Sequence, residues 1–261
     1  MIAFKAIGNS KVKEEKMNYK CTIISISNNK KITDEFIVNL SEQKNVSYQL
    51  IVIDNRNNIF NGARGAFNSV LGQIENEIVI FSHPDIRFLS DNALSSILEN
   101  VKKIDDYGVI GVAGCKEGIQ WKLLSNIKHG KLKKDAGEKI ADFTEVQTVD
   151  ECFFVMKKEV IKRVQFTKLS GWHLYAVEQC LRMINEGKRN YIIPADLWHI
   201  SDGKSLDPQY MICLEQVLKL YKENIEFINS TVKQWKTHGR KAWLYRKYYF
   251  YKQIVKKRLI G

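Results

Sequence analysis

The first 115 residues contain four continuous apolar runs with a helical pattern between neighbouring runs. The strands that these apolar runs predict span, in chain order, 21–27, 48–54, 77–85 and 108–114. The intervening stretches with apolar side chains at helical spacing are 31–43, 62–76 and 92–104. A strand that is apolar throughout, and not only at alternate positions, is buried on both faces. The pattern therefore predicts an α/β fold, with a mostly parallel sheet covered by helices on both faces.

The second half of the chain continues this pattern less regularly. Residues 115–142 are rich in lysine and glycine, which predicts a mobile surface loop. Two short strands and a helical turn are predicted within 143–164, a helix at 172–187 and a strand at 190–194. Residues 206–228 have the pattern of a long amphipathic helix.

Several protein classes are excluded by the distribution of apolar residues and cysteines. No apolar run reaches the roughly 18–20 residues that cross a bilayer. Residues 1–16 have too short an apolar stretch for a signal peptide, so we interpret them as an extension before Met17. The five cysteines are scattered, without a Cys-x-x-Cys pair. They predict small buried side chains in a reducing cytoplasm, not disulfides or a zinc site.

The net charge of +12 is concentrated at the C-terminal end. From Lys233 to the end there are ten basic residues and no acidic residue, so the rest of the chain carries only 12 − 10 = +2. Seven aromatic residues are interleaved with those charges. This composition is compatible with a solvated terminal helix, a nucleic-acid arm or a membrane-surface anchor. We favour the anchor, because Trp and Tyr prefer the headgroup boundary and Lys and Arg are attracted to anionic lipids.

Polar side chains follow three of the predicted strands. They are Ser27 with two asparagines, Asp54 with Asn55, and His83 with Asp85. Open parallel sheets bind ligands at the carboxyl ends of their strands. These residues therefore predict a ligand cleft, and they explain why the buried run 78–81 ends in an imidazole and a carboxylate.

The order of these motifs resembles the nucleotide-binding half of family 2 glycosyltransferases with the GT-A fold. The resemblance rests on "CTIISISNN", "LIVIDNRNN", "GARGAFNSVL", "EIVIFSHPDIRF", "VDECFFVMKKEVI", "GWHLYAVEQCLR" and "IIPADLWHISDGKS". The chain is most similar to a bacterial glycosyltransferase-like branch, in which the Asp-x-Asp motif of the family becomes His-x-Asp. The resemblance implies a GT-A-like domain over residues 18–206 and a helical, basic-aromatic appendage over 207–261.

The resemblance also implies a nucleotide-sugar donor and a divalent cation. It places Asp54 at the base or ribose of the donor, Arg64 and Asn68 near its diphosphate or base, and Asp150 near its sugar, with Ser27 at the first strand end. It implies that Asp85 binds the cation, with His83 and His199 as further ligands. Carboxylates suit Mg²⁺ or Mn²⁺, and an imidazole shifts the preference toward Mn²⁺.

One position departs from the family pattern. The acidic residue that acts as base in relatives corresponds to Ala176, and the second acidic residue of that motif corresponds to Glu178. Glu178 is therefore our predicted base, with an ordinary helix-start carboxylate as the alternative. We interpret His173 as structural and Trp172 as a wall of the acceptor site, although a buried core Trp is equally compatible.

These residues predict an inverting glycosyltransferase that acts in bacterial surface polysaccharide synthesis. Its acceptor is expected to be a glycan, carried on a membrane lipid, and the protein to lie at the cytoplasmic face of the cell membrane. Ala176 favours one alternative, a nucleotide-sugar-binding protein of the same fold that has lost catalysis. The basic tail favours a second and weaker one, a nucleic-acid-binding protein, although the body lacks a nucleic-acid motif and no nucleic-acid partner is expected.

Overall fold

A computed structural model describes residues 18–201, 208–223 and 225–260. The extension before Met17 and the last residues of the family resemblance, 202–206, lie outside the described part. The strands are β1 Tyr19–Ser27, β2 Val46–Asp54, β3 Ile78–Ser82, β4 Ile86–Phe88, β5 Ile110–Gly111, β6 Ala113–Cys115, β7 Leu123–Ser125, β8 Lys128–His129, β9 Lys134–Asp135, β10 Thr144–Val146, β11 Thr148–Val149, β12 Phe153–Lys157, β13 Asn190–Ile192, β14 Leu197–His199, β15 Phe227–Asn229 and β16 Gln234–Lys236. The α-helices are α1 Lys30–Ser41, α2 Ala63–Asn68, α3 Ala93–Lys102, α4 Lys158–Arg163, α5 Tyr175–Asn185, α6 Pro208–Tyr221 and α7 Arg240–Ile260.

The central sheet has seven strands in the order β10-β13-β5-β12-β3-β1-β2. Five of them run in the same direction, and β12 and β10 are reversed. Successive side chains of β1 point to opposite faces: Ile23 packs with α1 and α3, whereas Ile24 packs with α2, α4 and α5. The predicted α/β fold, a mostly parallel sheet with helices on both faces, is confirmed.

Strand β3 explains why an uninterrupted apolar sequence is needed at the centre of this sheet. It pairs with β1 on one side and with β12 on the other, so both of its edges are covered. Val79, Ile80 and Phe81 are fully buried. The strand ends at Ser82, and the chain then emerges from the sheet at His83. The side chains that follow β3 are therefore placed at the carboxyl edge of the sheet.

Four predicted elements are wrong, and the last of them is the helix predicted over 206–228, because α6 ends at Tyr221 and Phe227 already belongs to β15. The helix predicted over 62–76 is only the six residues of α2, followed by a 3₁₀ turn at Leu71–Gln73. Asn68 ends α2 because its side-chain amide bonds both backbone groups of Phe166, a tertiary contact that local pattern does not encode. The strand predicted over 108–114 is divided between β5 and β6, which belong to different sheets.

The third error concerns residues 115–142, predicted to be a mobile loop. They contain β7, β8 and β9, and Leu124 and Ile127 are buried there. Strand β8 pairs in parallel with β14, which in turn pairs with β4, so β8 and β9 belong to a four-stranded sheet ordered β4-β14-β8-β9. Strand β7 pairs with β6 in a separate three-stranded sheet ordered β11-β6-β7. The lysines and glycines of the segment gave no signal of the four-stranded sheet, because the pairing partners lie about 70 residues away along the chain.

The C-terminal elements pack on the second half of the sheet domain through α5. Leu174 and Leu181 of the α5 region share a core with Leu214 of α6 and with Trp235, which is only 1% exposed. Helix α7 is attached by Arg246, which donates hydrogen bonds to Glu215 and to backbone carbonyls near the hairpin β15–β16. The division of the chain near residue 206 stays a prediction. Among the described helices, none is long and apolar enough to cross a membrane.

Candidate active site

A cavity of about 890 Å³ opens where β1, β2 and β3 end. Ile26, Asn55 and His83 bring these three strand ends to its wall. The opposite wall comes from the start of α5, from Tyr210 of α6 and from the turn of the hairpin β15–β16. The predicted cleft at the carboxyl edge of the sheet therefore exists, and C-terminal residues contribute to it.

His83, Asp85 and His199 form a cluster in this cavity. One potential ligand atom from each residue lies within 4.8 Å of the others. Nδ1 of His83 is 3.8 Å from Oδ1 of Asp85, and Nε2 of His199 is 3.4 Å from Oδ2 of Asp85. The pairing of β14 with β4 creates this contact, because it sets His199 opposite Ile86, the residue after Asp85. Two residues separated by 114 positions thus share one site.

The electrostatics of the cluster favour an ionised carboxylate. Burial alone would raise the pKa of Asp85, but the nearby imidazoles of His199 and His83 hold that pKa at about 2. Burial would lower the pKa of His199, and the carboxylates of Asp85 and Asp150 outweigh this effect, so its pKa is raised. Burial lowers the pKa of His83 despite Asp85. The cluster therefore presents a carboxylate next to an imidazole that is readily neutral.

The cluster fits a divalent cation. Nε2 of His199 is buried and makes no aligned hydrogen bond to any described residue, although the Asp85 carboxylate is near. A buried ring nitrogen without a hydrogen-bond partner destabilises the folded chain unless a ligand binds to it. Two imidazoles and one carboxylate leave further coordination positions for oxygen atoms of a ligand. These three residues are the ones that could hold a cation here.

Asp150 and Glu151 are the other described carboxylates in the cavity wall besides Asp85. Asp150 accepts hydrogen bonds from the Thr231 hydroxyl and the Cys152 amide, and with His199 these outweigh burial and lower its pKa. Burial, followed by the charge of Asp150, raises the pKa of Glu151 to about 8. Glu151 also accepts the Tyr175 backbone N–H at the start of α5. Of the two adjacent carboxyls, Asp150 therefore favours the ionised form and Glu151 the protonated form.

Glu178 and Arg64 form a buried ion pair outside the lining of this cavity. Nε of Arg64 donates to Oε2 of Glu178 at 2.5 Å, and each side chain is at most 2% exposed. Arg64 also donates to the backbone carbonyls of His173 and Leu174. This geometry joins α2 to the start of α5, and it keeps both charged groups away from the cavity.

The other predicted donor residues are scattered around the site. Asp54 is half exposed and forms a bidentate pair with Arg56, which lowers its pKa to about 2. Asn68 bonds the Phe166 backbone, and the Ser27 hydroxyl lies 2.7 Å from that of Thr33. None of these three side chains is among the described residues that line the cavity, whereas Asn28 and Asn55, the neighbours of Ser27 and Asp54, are.

Trp172 and His173 both line the cavity. The predicted role of Trp172 as a wall of the acceptor site and the structural role of His173 stay predictions. Trp172 is 39% exposed, so it is not a core residue, and His173 packs edge-on against Tyr210.

Four cavity residues were missed at the sequence level. They are His129, Glu151, Tyr175 and Thr231. His129 lies beside His199 through the pairing of β8 with β14, with ring centroids 5.4 Å apart. Glu151 stood in the sequence next to Asp150 and gave the only usable signal, a second carboxyl in the same turn. The other three depend on contacts that the sequence does not display.

Comparisons with known proteins agree with the fold. Residues 21–221 match the model of a family described as "Glycosyltransferase like family". The comparison with curated proteins found no match. Among solved structures, the fold is similar to the mannosyltransferase PcManGT from Pyrobaculum calidifontis in complex with GDP-Man and Mn²⁺, with 13% identity, a TM-score of 0.53 and coverage of 80% of this chain. It is also similar to S. aureus TarS residues 1–349 in complex with UDP-GlcNAc, with 13% identity, a TM-score of 0.52 and 80% coverage of this chain.

The chain is shorter than these structural neighbours. It spans 65% of the length of PcManGT and 67% of TarS 1–349. A longer TarS structure matches with 13% identity and a TM-score of 0.54; the match covers 80% of this chain and 40% of that one. The two named enzymes therefore have residues with no counterpart in the matched region.

Proposed function

The chain belongs to the glycosyltransferase-like family, and on that premise we propose that it transfers a sugar from a nucleotide-sugar donor with inversion. The observation that carries this proposal is the His83–Asp85–His199 cluster at the carboxyl edge of the sheet, inside a cavity large enough for such a donor. Its fold neighbours were solved with GDP-Man and with UDP-GlcNAc, which supports a donor of the same chemical class. In this proposal the diphosphate of the donor binds at the His83–Asp85–His199 cluster.

The cluster residues have the role of holding a divalent cation against that diphosphate. A bound cation would neutralise the negative charge that accumulates on the departing nucleoside diphosphate. Two imidazole nitrogens beside one carboxylate favour Mn²⁺ over Mg²⁺. The Mn²⁺ bound in PcManGT supports the same choice. Asp85 supplies the charge of the site, and His83 and His199 supply neutral nitrogens.

Glu151 replaces Glu178 as our candidate base, because Glu178 is sealed by Arg64. In inverting transfer the acceptor oxygen bonds to the anomeric carbon, the carbon–oxygen bond to the diphosphate breaks, and the acceptor proton needs a base. A carboxyl whose pKa lies near 8 is suited to take a proton from a hydroxyl near neutral pH. Trp172 and His173 line the same cavity and offer surfaces for the acceptor sugar.

The experiment measures binding and turnover of a panel that includes GDP-mannose and UDP-GlcNAc, with and without Mn²⁺. We expect one donor to bind in the presence of Mn²⁺ and to be hydrolysed slowly without acceptor. Asp85→Asn should abolish the Mn²⁺-dependent part, whereas the matched control Asp34→Asn, an exposed residue paired with Lys30, should leave it unchanged. If no donor of the panel binds to the wild type, the proposed function is contradicted.

Turnover separates the base from the donor-binding residues. Glu151→Gln should lower turnover by about 10²–10⁴-fold with donor affinity unchanged. Glu186→Gln, an exposed carboxyl paired with Arg163, is the control. Full activity of Glu151→Gln together with inactivity of Asp150→Asn would move the role to Asp150. Donor binding by a wild type that never transfers would favour the non-catalytic alternative suggested by Ala176.

We also propose that α7 docks on an anionic membrane, where lipid-linked acceptors for surface polysaccharides reside. The support is the composition of the helix face that does not pack against the protein. Its exposed large side chains are Trp243, Leu244, Tyr245, Tyr248, Tyr251 and Val255. The packed side instead contains Arg246 and Gln253. Helix α7 has no acidic residue, so nothing on it repels anionic lipid.

Charge reversal tests this docking better than truncation. Removing the chain after Ser230 would delete Trp235 from the core, so a truncation would change the fold together with the membrane contact. Replacing Lys241, Lys247 and Lys252 by glutamate should weaken binding to vesicles of anionic phospholipid at least about 100-fold, since each lysine contributes about 1 kcal/mol. Equal replacements at the exposed Lys20, Lys31 and Lys162 are the control. Equal binding of both variants would contradict the docking.

A further inference from the structure

Tyr175, the first residue of α5, contacts His83 of the cation cluster through its side-chain hydroxyl. Its hydroxyl oxygen is 2.7 Å from Nε2 of His83. The same hydroxyl is 3.3 Å from the backbone carbonyl oxygen of Glu151, to which it can donate. Tyr175 itself is only 3% exposed. A buried hydroxyl thus lies between a carbonyl that can only accept and an imidazole nitrogen that can do either.

Which partner the Tyr175 hydroxyl donates to determines the tautomer of His83 that it favours. A hydroxyl has one proton, and the Glu151 carbonyl can only accept. If Tyr175 donates to that carbonyl, its oxygen accepts from His83, so Nε2 of His83 carries the ring proton. The lone pair of the neutral imidazole is then on Nδ1, the nitrogen that lies 3.8 Å from Asp85. This is the nitrogen that faces the cation cluster.

We propose that Tyr175 is a positioning residue that holds His83 as an Nδ1 ligand for a divalent cation. The proposal rests on the proposed function, because it assumes the cation at the cluster. The hydroxyl orients the ring and selects its protonation pattern from the outer side of the site. Metal-ligating histidines commonly use their second nitrogen in this way, and removal of the outer partner typically lowers metal affinity 10–100-fold.

The chain offers a clean way to separate this role from packing. The Tyr175 ring packs against Phe67 and Phe154, with centroids 5.6 and 6.1 Å away. Tyr175→Phe keeps the ring in that aromatic cluster and removes only the hydroxyl. A residue that served packing alone would tolerate this change without any effect on the cation.

The experiment measures Mn²⁺ affinity by titration calorimetry, without donor, for the wild type, Tyr175→Phe, His83→Ala and the double variant. Tyr175→Phe should weaken Mn²⁺ binding 10–100-fold. In the His83→Ala background the same change should have no further effect, because Tyr175 acts through His83. The matched control is Tyr191→Phe, a tyrosine of β13 that lies outside the cavity lining.

The outcomes distinguish this proposal from the cation site itself. If the wild type and Asp85→Ala bind Mn²⁺ equally, or neither binds it, the cation site and the role of Tyr175 are both overturned. If Asp85→Ala loses binding and Tyr175→Phe binds like the wild type, only the role of Tyr175 is overturned. An equal loss from Tyr175→Phe with and without His83 shows that the hydroxyl does not act through His83, and this too overturns the proposal.

Discussion

Two charged groupings join the first half of the chain to α5 or β14, and they differ in what surrounds them. The pair Arg64–Glu178 is closed on all sides, and the pair's two charges neutralise each other at 2.5 Å. The cluster around Asp85 faces a cavity, its side chains are 12–38% exposed, and His199 keeps a ring nitrogen without an aligned partner. The first grouping is sealed and its charges are paired, although Oε1 of Glu178 makes no hydrogen bond to any described residue. The second grouping opens to a cavity from which a ligand can reach all three of its side chains.

This difference teaches that residue type does not identify a functional carboxylate. Glu178 matches an acidic residue of the family motif, and its surroundings make it a structural link between α2 and α5. Glu151 lies in a family motif that assigned it no role, and its surroundings give it a pKa of about 8 inside the cavity. The predictions below test whether the two groupings are as different in solution as their environments indicate.

The largest expected effect is on the closed pair. Glu178→Leu should lower the free energy of unfolding by about 3–5 kcal/mol, because it leaves the Arg64 charge buried without its partner. Urea denaturation measures this loss directly. The double variant Arg64→Met/Glu178→Leu removes both charges and should recover most of it. A stable but inactive Glu178→Gln would reverse the comparison and make Glu178 catalytic.

The next effect is on the open cluster and requires a cation. Mn²⁺ at about 100 times its dissociation constant should stabilise the wild type by about 2.7 kcal/mol, because only the folded chain has the site. Asp85→Asn should remove this stabilisation, as measured by the thermal midpoint with and without Mn²⁺. Glu178→Gln should keep the Mn²⁺ effect even though it lowers the midpoint. Loss of the Mn²⁺ effect in both variants would show that the groupings are not independent.

A smaller effect concerns the pH dependence of stability through Glu151. Its pKa is about 8 in the folded chain against an ordinary value of 4.5. The unfolded chain therefore releases this proton first, and the stabilisation from Glu151 is complete below pH 4.5 and is lost as the pH rises to 8. Because the side chain is partly exposed, we expect a loss of about 2 kcal/mol across this window. Glu151→Gln should reduce the change of unfolding free energy with pH, measured by denaturation at pH values from 5 to 8. An unchanged slope would contradict the shift.

The smallest effect is expected at Asp54. Asp54→Asn breaks an exposed pair with Arg56, and such pairs contribute little to stability, so the unfolding midpoint should not change measurably. Donor affinity is the more informative measurement. A fall of several-fold would support the predicted contact with the base or ribose, whereas no change would restrict Asp54 to its pairing with Arg56.

The sequence was sufficient wherever a feature depends on neighbouring residues. The apolar run 78–81 required a strand covered on both faces, and its polar continuation placed His83 and Asp85 at the sheet edge. The order of strands and helices indicated the fold class, and it placed the cleft where open parallel sheets bind ligands. These features follow from side-chain periodicity, which is local.

Contacts between distant residues were decided only by the tertiary structure. Glu178 and Arg64 are 114 positions apart, and their pairing buries the predicted base against an arginine. Within 115–142, β8 pairs with β14 and β7 pairs with β6, and Trp235 joins the core through α6 and α7. The physical reason is that burial and charge depend on which surfaces meet in space. A local pattern specifies which face of an element is apolar, but it does not specify which distant element covers that face.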